Sequence, residues 1–244
     1  MRLRLPLFAA ACLCLSLPLS ALELTPYEAT YSATYFGQTG EAVRSLKVND
    51  NGSYSASFNT DIRILLIKFY QHQSSNFAVT SEHLITPLHY QYAGTKSKPA
   101  TDVQFDWSDK LATNQSSPPW TVTLATGVQD ELSYQEQMRL DLMHQRTPLT
   151  YQVIEKADRL DQLRFERAGA ETLNTPWGKI ETVKIKRLRK KGKERETFFW
   201  FAPAWDYLLV RIEHIERGSG YQVDLKSAMV NGNNVAPATE QGSN

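Results

Sequence analysis

The chain has 244 residues, with 27 basic and 26 acidic side chains, and 41% of its residues are hydrophobic. This even charge balance gives no strong positive field, which argues against a nucleic-acid-binding protein. Both cysteines, Cys12 and Cys14, lie close to the N-terminus. The rest of the chain therefore has no disulfide, no cysteine metal site and no cysteine nucleophile.

Residues 1–21 have the layout of a secretory signal peptide. Two arginines precede an apolar run at 5–17, and small residues follow it. The run is shorter than the roughly 20 residues that span a bilayer, so we expect a cleaved leader and not an anchor. We place cleavage after Ala21, with Ser20 as the alternative, and consider lipidation at Cys12 as a further alternative. Without the leader, a soluble periplasmic protein with 25 basic and 26 acidic residues is expected.

The N-terminal half reads as a series of antiparallel strands. Tyrosine and alanine alternate with polar residues at 24–36, as in a half-buried strand. Turn residues follow at 37–40 and 49–52, and the second turn contains an Asn-Gly pair, which is a strong hairpin signal. The same pattern predicts further strands at 41–48, 53–60, 71–80, 86–92, 101–107 and 120–124.

Segment 62–70, IRILLIKFY, breaks the alternation because nearly every position is apolar. Periodicity does not decide between a buried strand or short helix in the core and a hydrophobic lip at the mouth of a ligand cavity. In the second interpretation, Ile64, Leu66 and Phe69 are candidate ligand-lining residues.

One helix is predicted, at 130–145. Asp130 or Ser133 can cap its first turn, and Ser133 with Glu136 fits a capping box. In that arrangement Ser133 and Glu136 face water.

The apolar face of this helix is marked by Tyr134, Met138 and Leu142, which recur at i, i+4 spacing. We expect this face to pack on the sheet, and Met138 and Leu142 are therefore candidate lining residues. Leu140 falls on the opposite side and does not fit the pattern.

The C-terminal half is organised around 175–217, which reads as three consecutive antiparallel strands separated by turns at 176–178, 191–193 and 203–207. Further strands are predicted at 149–156, 160–167 and 221–230. We expect one β-rich domain at 22–230 and a disordered tail at 231–244. The predicted fold class is mainly β, a strongly curved antiparallel sheet, half-barrel or open barrel, with one principal α-helix packed on it.

The second strand of this block carries a run of aromatic residues. Alternation places Phe198 and Trp200 on one face, and Phe199 and Phe201 on the other. One set must enter the core, and the other packs under the helix or lines a groove. Phe199 and Phe201 are therefore candidate lining residues.

The hairpin at 184–195 has the highest density of positive charge in the chain. Exposed basic residues on a hairpin commonly prevent edge-to-edge pairing of sheets. The functional alternative is an anchor for lipid headgroups, envelope polysaccharide or an acidic protein. Its candidate contact residues are Lys190, Lys191, Lys193 and Arg195.

Three segments together resemble a known family: the strand YEATYSATYFG, the helix LSYQEQMRLDL and the block TPWGKIETVKIKRLR…RETFFWFAPAWDYLLVRIEH. They are similar to a widespread group of exported Gram-negative proteins known only as a domain of unknown function. The resemblance covers nearly the whole mature chain and implies a β-rich periplasmic protein, but it assigns no catalytic residue. The architecture is also similar to the half-barrels of periplasmic lipoprotein carriers, which shelter acyl chains on the concave side of the sheet, an analogy of fold alone.

Signatures of catalysis and of metal binding are missing from the sequence. The five histidines are not spaced as a metal pair, and there is no nucleophile elbow and no phosphate-binding glycine loop. We therefore expect no metal, no cofactor and no catalytic residue, and an enzyme is the less favoured class.

The leading hypothesis is a non-enzymatic periplasmic protein that binds a hydrophobic or amphipathic envelope component in the concave face of its sheet, closed by 130–145 and 62–70. One alternative is an interaction or scaffold protein of envelope biogenesis that uses the basic hairpin and the sheet edge. Another is a hydrolase with an unrecognised site. An apolar cavity of roughly several hundred Å³ favours the first, and a filled core with an exposed patch favours the second.

Overall fold

A computed structural model describes residues 24–35, 38–64, 67–95, 99–156, 158–175, 178–189 and 194–235. Strands β1 to β8 are Tyr27–Tyr35, Gln38–Val48, Tyr54–Ile64, Ile67–Val79, Ile85–Gly94, Thr101–Asp106, Leu111–Asn114 and Trp120–Thr123. Strand β9, Val128–Gln129, precedes helix α1, Ser133–Met143. Strands β10 to β16 are Leu149–Lys156, Arg159–Thr175, Gly178–Leu188, Arg195–Ala202, Leu208–Glu216, Ser219–Val230 and Asn233–Asn234, and a 3₁₀ turn spans Pro203–Trp205.

All these strands belong to one sheet that curls around α1. Its order is β8-β7-β6-β5-β4-β3-β2-β1-β15-β14-β13-β12-β11-β10-β9, with β16 paired to β15. Every pairing is antiparallel except that of β9 with β10, and β8 and β9 do not pair with each other. The predicted fold class, a curved antiparallel sheet that stays open and holds one helix, is confirmed.

Two glutamine side chains connect the two halves of the open sheet near the start of β5. Gln129 Nε2 donates to the carbonyl oxygen of Ile85 at 2.8 Å, and Gln137 Oε1 accepts from the Ile85 amide at 2.6 Å. Buried backbone groups need partners, and these amides supply them on the side of β5 where β6 does not extend to Ile85. Strand β9 and α1 are thereby held across the opening.

Alternation along the strands matches the predicted period of two. In β1, Tyr27, Ala29 and Tyr31 are buried and face the helix. Strand β11 continues to Thr175, beyond the predicted end at 167, because a bulge after Arg167 lets it resume pairing with β12.

The segment at 62–70 is neither one strand nor a short helix. It comprises the end of β3 and the start of β4, whose hairpin is closed by the pairing of Ile64 with Ile67. An apolar run without alternation gives no signal for a turn, so the boundary between β3 and β4 could not be predicted from the sequence.

Helix α1 is buried on nearly all sides, which corrects the prediction that Ser133 and Glu136 face water. Both are fully buried, and so is Leu140. The curled sheet surrounds the helix, so neither side of it faces solvent. The cap is Asp130, whose Oδ1 accepts from the amides of Leu132 and Ser133 at 2.8 Å each. In return, the Asp130 amide donates to the Ser133 hydroxyl, and not to the side chain of Glu136 as in the predicted capping box.

The ordered chain extends past the predicted domain boundary at 230, because Asn233 and Asn234 pair with the end of β15. The predicted leader and the last residues, 236–244, lie outside the described residues. Within the described part of the chain, no helix is long and apolar enough to cross a bilayer.

Candidate functional site

The antiparallel order places the hairpins at two ends of the curled sheet. One end carries the hairpins β1–β2, β3–β4, β5–β6, β7–β8, β10–β11, β12–β13 and β14–β15, and we name it the open end. The β3–β4 hairpin belongs to the apolar segment 62–70, and the β12–β13 hairpin belongs to the basic segment 184–195. The two segments that the sequence analysis selected separately therefore lie at the same end of the molecule.

Helix α1 fills only the half of the concavity that is distant from the open end. On β1 to β4, β14 and β15, inward-facing residues next to the helix are buried and inward-facing residues nearer the open end are partly exposed, whereas Thr197 on β13 stays buried. The buried members on these six strands are Tyr31, Ala42, Ala56, Gln73, Leu209 and Leu225. Their partly exposed neighbours toward the open end, which we call the upper concave face, are Ala33, Gly40, Phe58, Thr60, Gln71, Ile212 and Val223. The same change recurs across neighbouring strands, so the concave side is more accessible toward the open end.

Three arginines stand above this face, and we name Arg187, Arg189 and Arg195 the arginine rim. Arg187 pairs across strands with Phe165, which lies in the interior cluster beside the helix. Arg195 donates to both carboxylate oxygens of Glu216 at 2.6 Å. Alternation therefore directs these three side chains toward the concave side.

Two aromatic rings lie among the rim arginines. His214 and Tyr221 stack with their centroids 5.1 Å apart, and Tyr221 is 40% exposed. Thr197 Oγ1 lies 2.8 Å from His214 Nδ1 and accepts from Arg189 Nη2 at 3.1 Å. The rim is thus a connected polar group with an accessible aromatic face.

The rim brings three guanidinium groups close to two aromatic rings. Burial lowers the pKa of His214, and the positive charges of Arg195 and Arg189 lower it further, so the imidazole is neutral at pH 7. Burial raises the pKa of Tyr221, which keeps the phenol neutral. Glu216 pairs with Arg195 and balances the charge of that guanidinium. An anion that reaches the open end therefore meets an attractive field.

Lys184 and Lys186, the described lysines of the same hairpin, lie on the other face of the sheet. Lys184 Nζ lies 4.6 Å from the Trp200 ring centroid and 3.0 Å from a carboxylate oxygen of Glu171. Lys186 pairs with Glu196 at 2.7 Å. These cations cover Trp200 on the convex side and do not belong to the cleft.

The floor of the cleft contains a buried charge cluster. Glu136 Oε1 accepts from the Tyr27 hydroxyl at 2.8 Å and from Arg44 Nη2 at 3.3 Å, and Oε2 accepts from Arg139 Nη1 at 2.8 Å. Arg44 Nη1 donates to Gln135 Oε1 at 2.6 Å. Burial raises the pKa of Tyr27, so its hydroxyl stays a donor to the carboxylate.

The cavity between the helix and the sheet is small. Its volume is about 10 Å³, which is the space of one water molecule. Met138, Phe199 and Phe201 line it, and Leu142 packs in the same cluster without reaching it, so their contact with a ligand stays a prediction. A pocket for a small ligand has roughly 300 Å³ or more. Helix and sheet therefore do not enclose an acyl chain at this level.

The other predicted contact residues lie at the open end or outside the described residues. Ile64 and Phe69 belong to the β3–β4 hairpin, and Arg195 belongs to the rim. Leu66 and the lysines at 190, 191 and 193 lie outside the described residues. The predicted contact residues do not include Arg187, Arg189, His214 and Tyr221. The alternation of β12 separates its arginines from its lysines but does not tell which set faces the concave side. Among the described residues no group of three or more potential metal ligands converges.

A family model described as "Protein of unknown function (DUF3108)" matches residues 26–226. The chain belongs to the DUF3108 family. This agrees with the predicted resemblance to a family without an assigned function. No curated protein matches this DUF3108 chain.

Among solved structures, the DUF3108 protein is similar to a beta-barrel-like protein of the domain of unknown function DUF1849 from Brucella abortus. The TM-score is 0.56 and the sequence identity 12%, over 86% of this chain and 99% of that one. At this identity the likeness shows a shared fold alone. The MucA/MucB complex of Pseudomonas aeruginosa also matches, with 6% identity over 86% of this chain and 89% of that one and a TM-score of 0.18.

Proposed function

We propose that this DUF3108 protein is a non-enzymatic periplasmic protein that binds an anionic amphiphile of the cell envelope at its open end. The observation that carries the proposal is the change from buried to partly exposed residues along the inward faces of neighbouring strands, directly below the arginine rim. The binding site is the upper concave face and not an enclosed cavity.

The two parts of the cleft suit the two parts of such a ligand. Guanidinium groups bind carboxylate and phosphate oxygens through paired hydrogen bonds, and the rim supplies three of them. Below the rim, Phe58, Ile212 and Val223 offer partly exposed apolar surface whose burial by an acyl chain is favourable. The exposed Tyr221 ring lies at the boundary between them, where an amphipathic side chain is well placed.

The depth of the cleft also supports partial enclosure of a chain. From Arg195 to Phe199, which lines the small cavity beside the helix, the strand advances four residues, or about 13 Å. The apolar segment 62–70 belongs to a hairpin at the same end. A single-chain amphiphile can therefore lie along the concave face with its headgroup at the rim.

Titration with monomeric lysophosphatidylglycerol, followed by calorimetry or tryptophan fluorescence, tests this proposal. We expect saturable binding with one molecule per chain, and much weaker binding of lysophosphatidylcholine with the same acyl chain. The triple variant R187Q/R189Q/R195Q should bind lysophosphatidylglycerol about 100-fold more weakly, since each cation contributes about 1 kcal/mol toward an anionic headgroup.

The matched control removes the same number of charges elsewhere. Lys47, Lys110 and Lys226 are exposed and lie away from the rim. The variant K47Q/K110Q/K226Q should keep wild-type affinity within about twofold, because salt screens charges that lie more than about 10 Å from the ligand. Equal losses in both triple variants would show that only net charge matters and would contradict a site at the rim.

A second candidate function is supported by the edge of the sheet. In the described part of the chain β8 pairs only with β7, so the other edge of Trp120–Thr123 carries no strand. A scaffold protein of envelope biogenesis could use this edge together with the basic hairpin to hold a protein partner. If the wild-type protein binds no amphiphile, this scaffold function becomes the favoured one.

A further inference from the structure

The buried charge cluster beside α1 contains two guanidiniums and one carboxylate. Arg44 and Arg139 are 6% and 2% exposed, and Glu136 is fully buried. Both guanidiniums bond to Glu136, and Arg139 Nη2 also donates to the carbonyl oxygen of Asp206 at 3.1 Å. One positive charge of the cluster is therefore not balanced by Glu136.

The other titratable groups that face Arg44 do not supply the missing negative charge. Burial raises the pKa of Tyr31 to about 12 and raises the pKa of Tyr27 further, so both phenols are neutral at pH 7. Tyr134, from the helix, is an aromatic neighbour of the same guanidinium. A buried charge without a counter-charge destabilises a fold strongly.

Two buried donors of the cluster lack an acceptor. Among the described residues, neither Arg44 Nε nor Arg139 Nε has a hydrogen-bond partner. Both side chains line the cavity of about 10 Å³, and its remaining wall is largely apolar. Arg44 and Arg139, which share one carboxylate and whose Nε donors lack acceptors, therefore line the same space.

We propose that this cavity is a binding site for one small monovalent anion of the chloride class, held by Arg44 and Arg139. A water molecule can accept from Nε but leaves the excess charge unbalanced, whereas a halide satisfies the donors and the charge together. Chloride is somewhat larger than water, and the flexible thioether of Met138 in the wall can adjust to it. This site lies below the upper concave face and does not depend on amphiphile binding.

Thermal unfolding of the full chain at constant ionic strength, with chloride replacing gluconate, tests the proposal. We expect the unfolding midpoint to rise by about 3–5 °C for each tenfold increase in chloride above the dissociation constant. In R44M the excess charge is gone and the midpoint should not depend on chloride. The control R164M, which alters an exposed arginine on β11, should keep the dependence. A wild-type midpoint that is independent of chloride would overturn the proposal.

Crystals of the wild-type protein grown in bromide give a second readout that does not require a variant to fold. A peak of anomalous scattering within hydrogen-bond reach of the Nε atoms of Arg44 and Arg139 supports the site. A cavity occupied by water alone, with bromide bound only at the surface, rejects it. Amphiphile binding at the rim can succeed or fail without changing either result.

Discussion

The variant E136Q should lose about 3–5 kcal/mol of unfolding free energy, because breaking a buried ion pair leaves its partner charges in a poorly solvating environment. Glu136 receives hydrogen bonds from Tyr27, Arg44 and Arg139, and all four side chains are buried. Glutamine keeps the size of the side chain but removes its charge. Two guanidiniums then lie in the interior of the protein without a carboxylate.

Urea unfolding at neutral pH measures this loss, and two further variants define its cause. E196Q removes the partner of Lys186 from an exposed ion pair, and it should cost less than about 1 kcal/mol. The double variant R44M/E136Q removes one charge of each sign and should be more stable than E136Q alone. A loss below about 1 kcal/mol in E136Q would show that water reaches the cluster and weakens its charge interactions.

A second large loss is expected for F199A, which should cost about 3–5 kcal/mol because a buried aromatic ring is replaced by a cavity. The Phe199 ring lies edge-on to Phe165 at 5.8 Å and borders the cavity beside Met138. Its removal opens the contact between β13 and the helix.

The neighbouring phenylalanine provides a matched control. Phe198 points to the convex side, where it is half-buried beneath Lys184 and Lys186. F198A should therefore lose only about 1–2 kcal/mol of apolar burial. Equal losses in urea unfolding would contradict the assignment of the two rings to opposite faces of β13.

The strands were predictable where the sequence alternates. In β1 the inward tyrosines and alanines carry a period of two, and β10 was predicted with its observed ends. Such patterns are local, because each residue's face follows from its neighbours in the same strand. The paired glycine and asparagine at 51–52 likewise marked the turn between β2 and β3.

The buried position of Glu136 was not predictable from its own segment. An isolated amphipathic helix would expose a glutamate that follows a capping serine, and the prediction that Glu136 faces water rests on that rule. The sheet reverses it, since Arg44 on a strand 92 residues away supplies the opposite charge. The residue pattern within 130–145 contains no information about a partner 92 residues away.

The arginine rim was only partly predictable. The charge of segment 184–195 is visible in composition, but its function depends on which side chains face the concave side. Pairing with β11 sets that orientation, and it separates Arg187 from Lys186. A one-residue change of register would exchange the two faces, so the sequence alone leaves the assignment open.

The central claim is tested most directly by solution NMR. Backbone amide shifts are followed while lysophosphatidylglycerol is added. A cleft at the open end predicts saturable changes at 187–189, 194–197, 212–216 and 219–223, with little change at 80–84, in the turn at the opposite end. Changes centred on 80–84, or no changes at concentrations that saturate other lipid-binding proteins, would contradict amphiphile binding at the arginine rim.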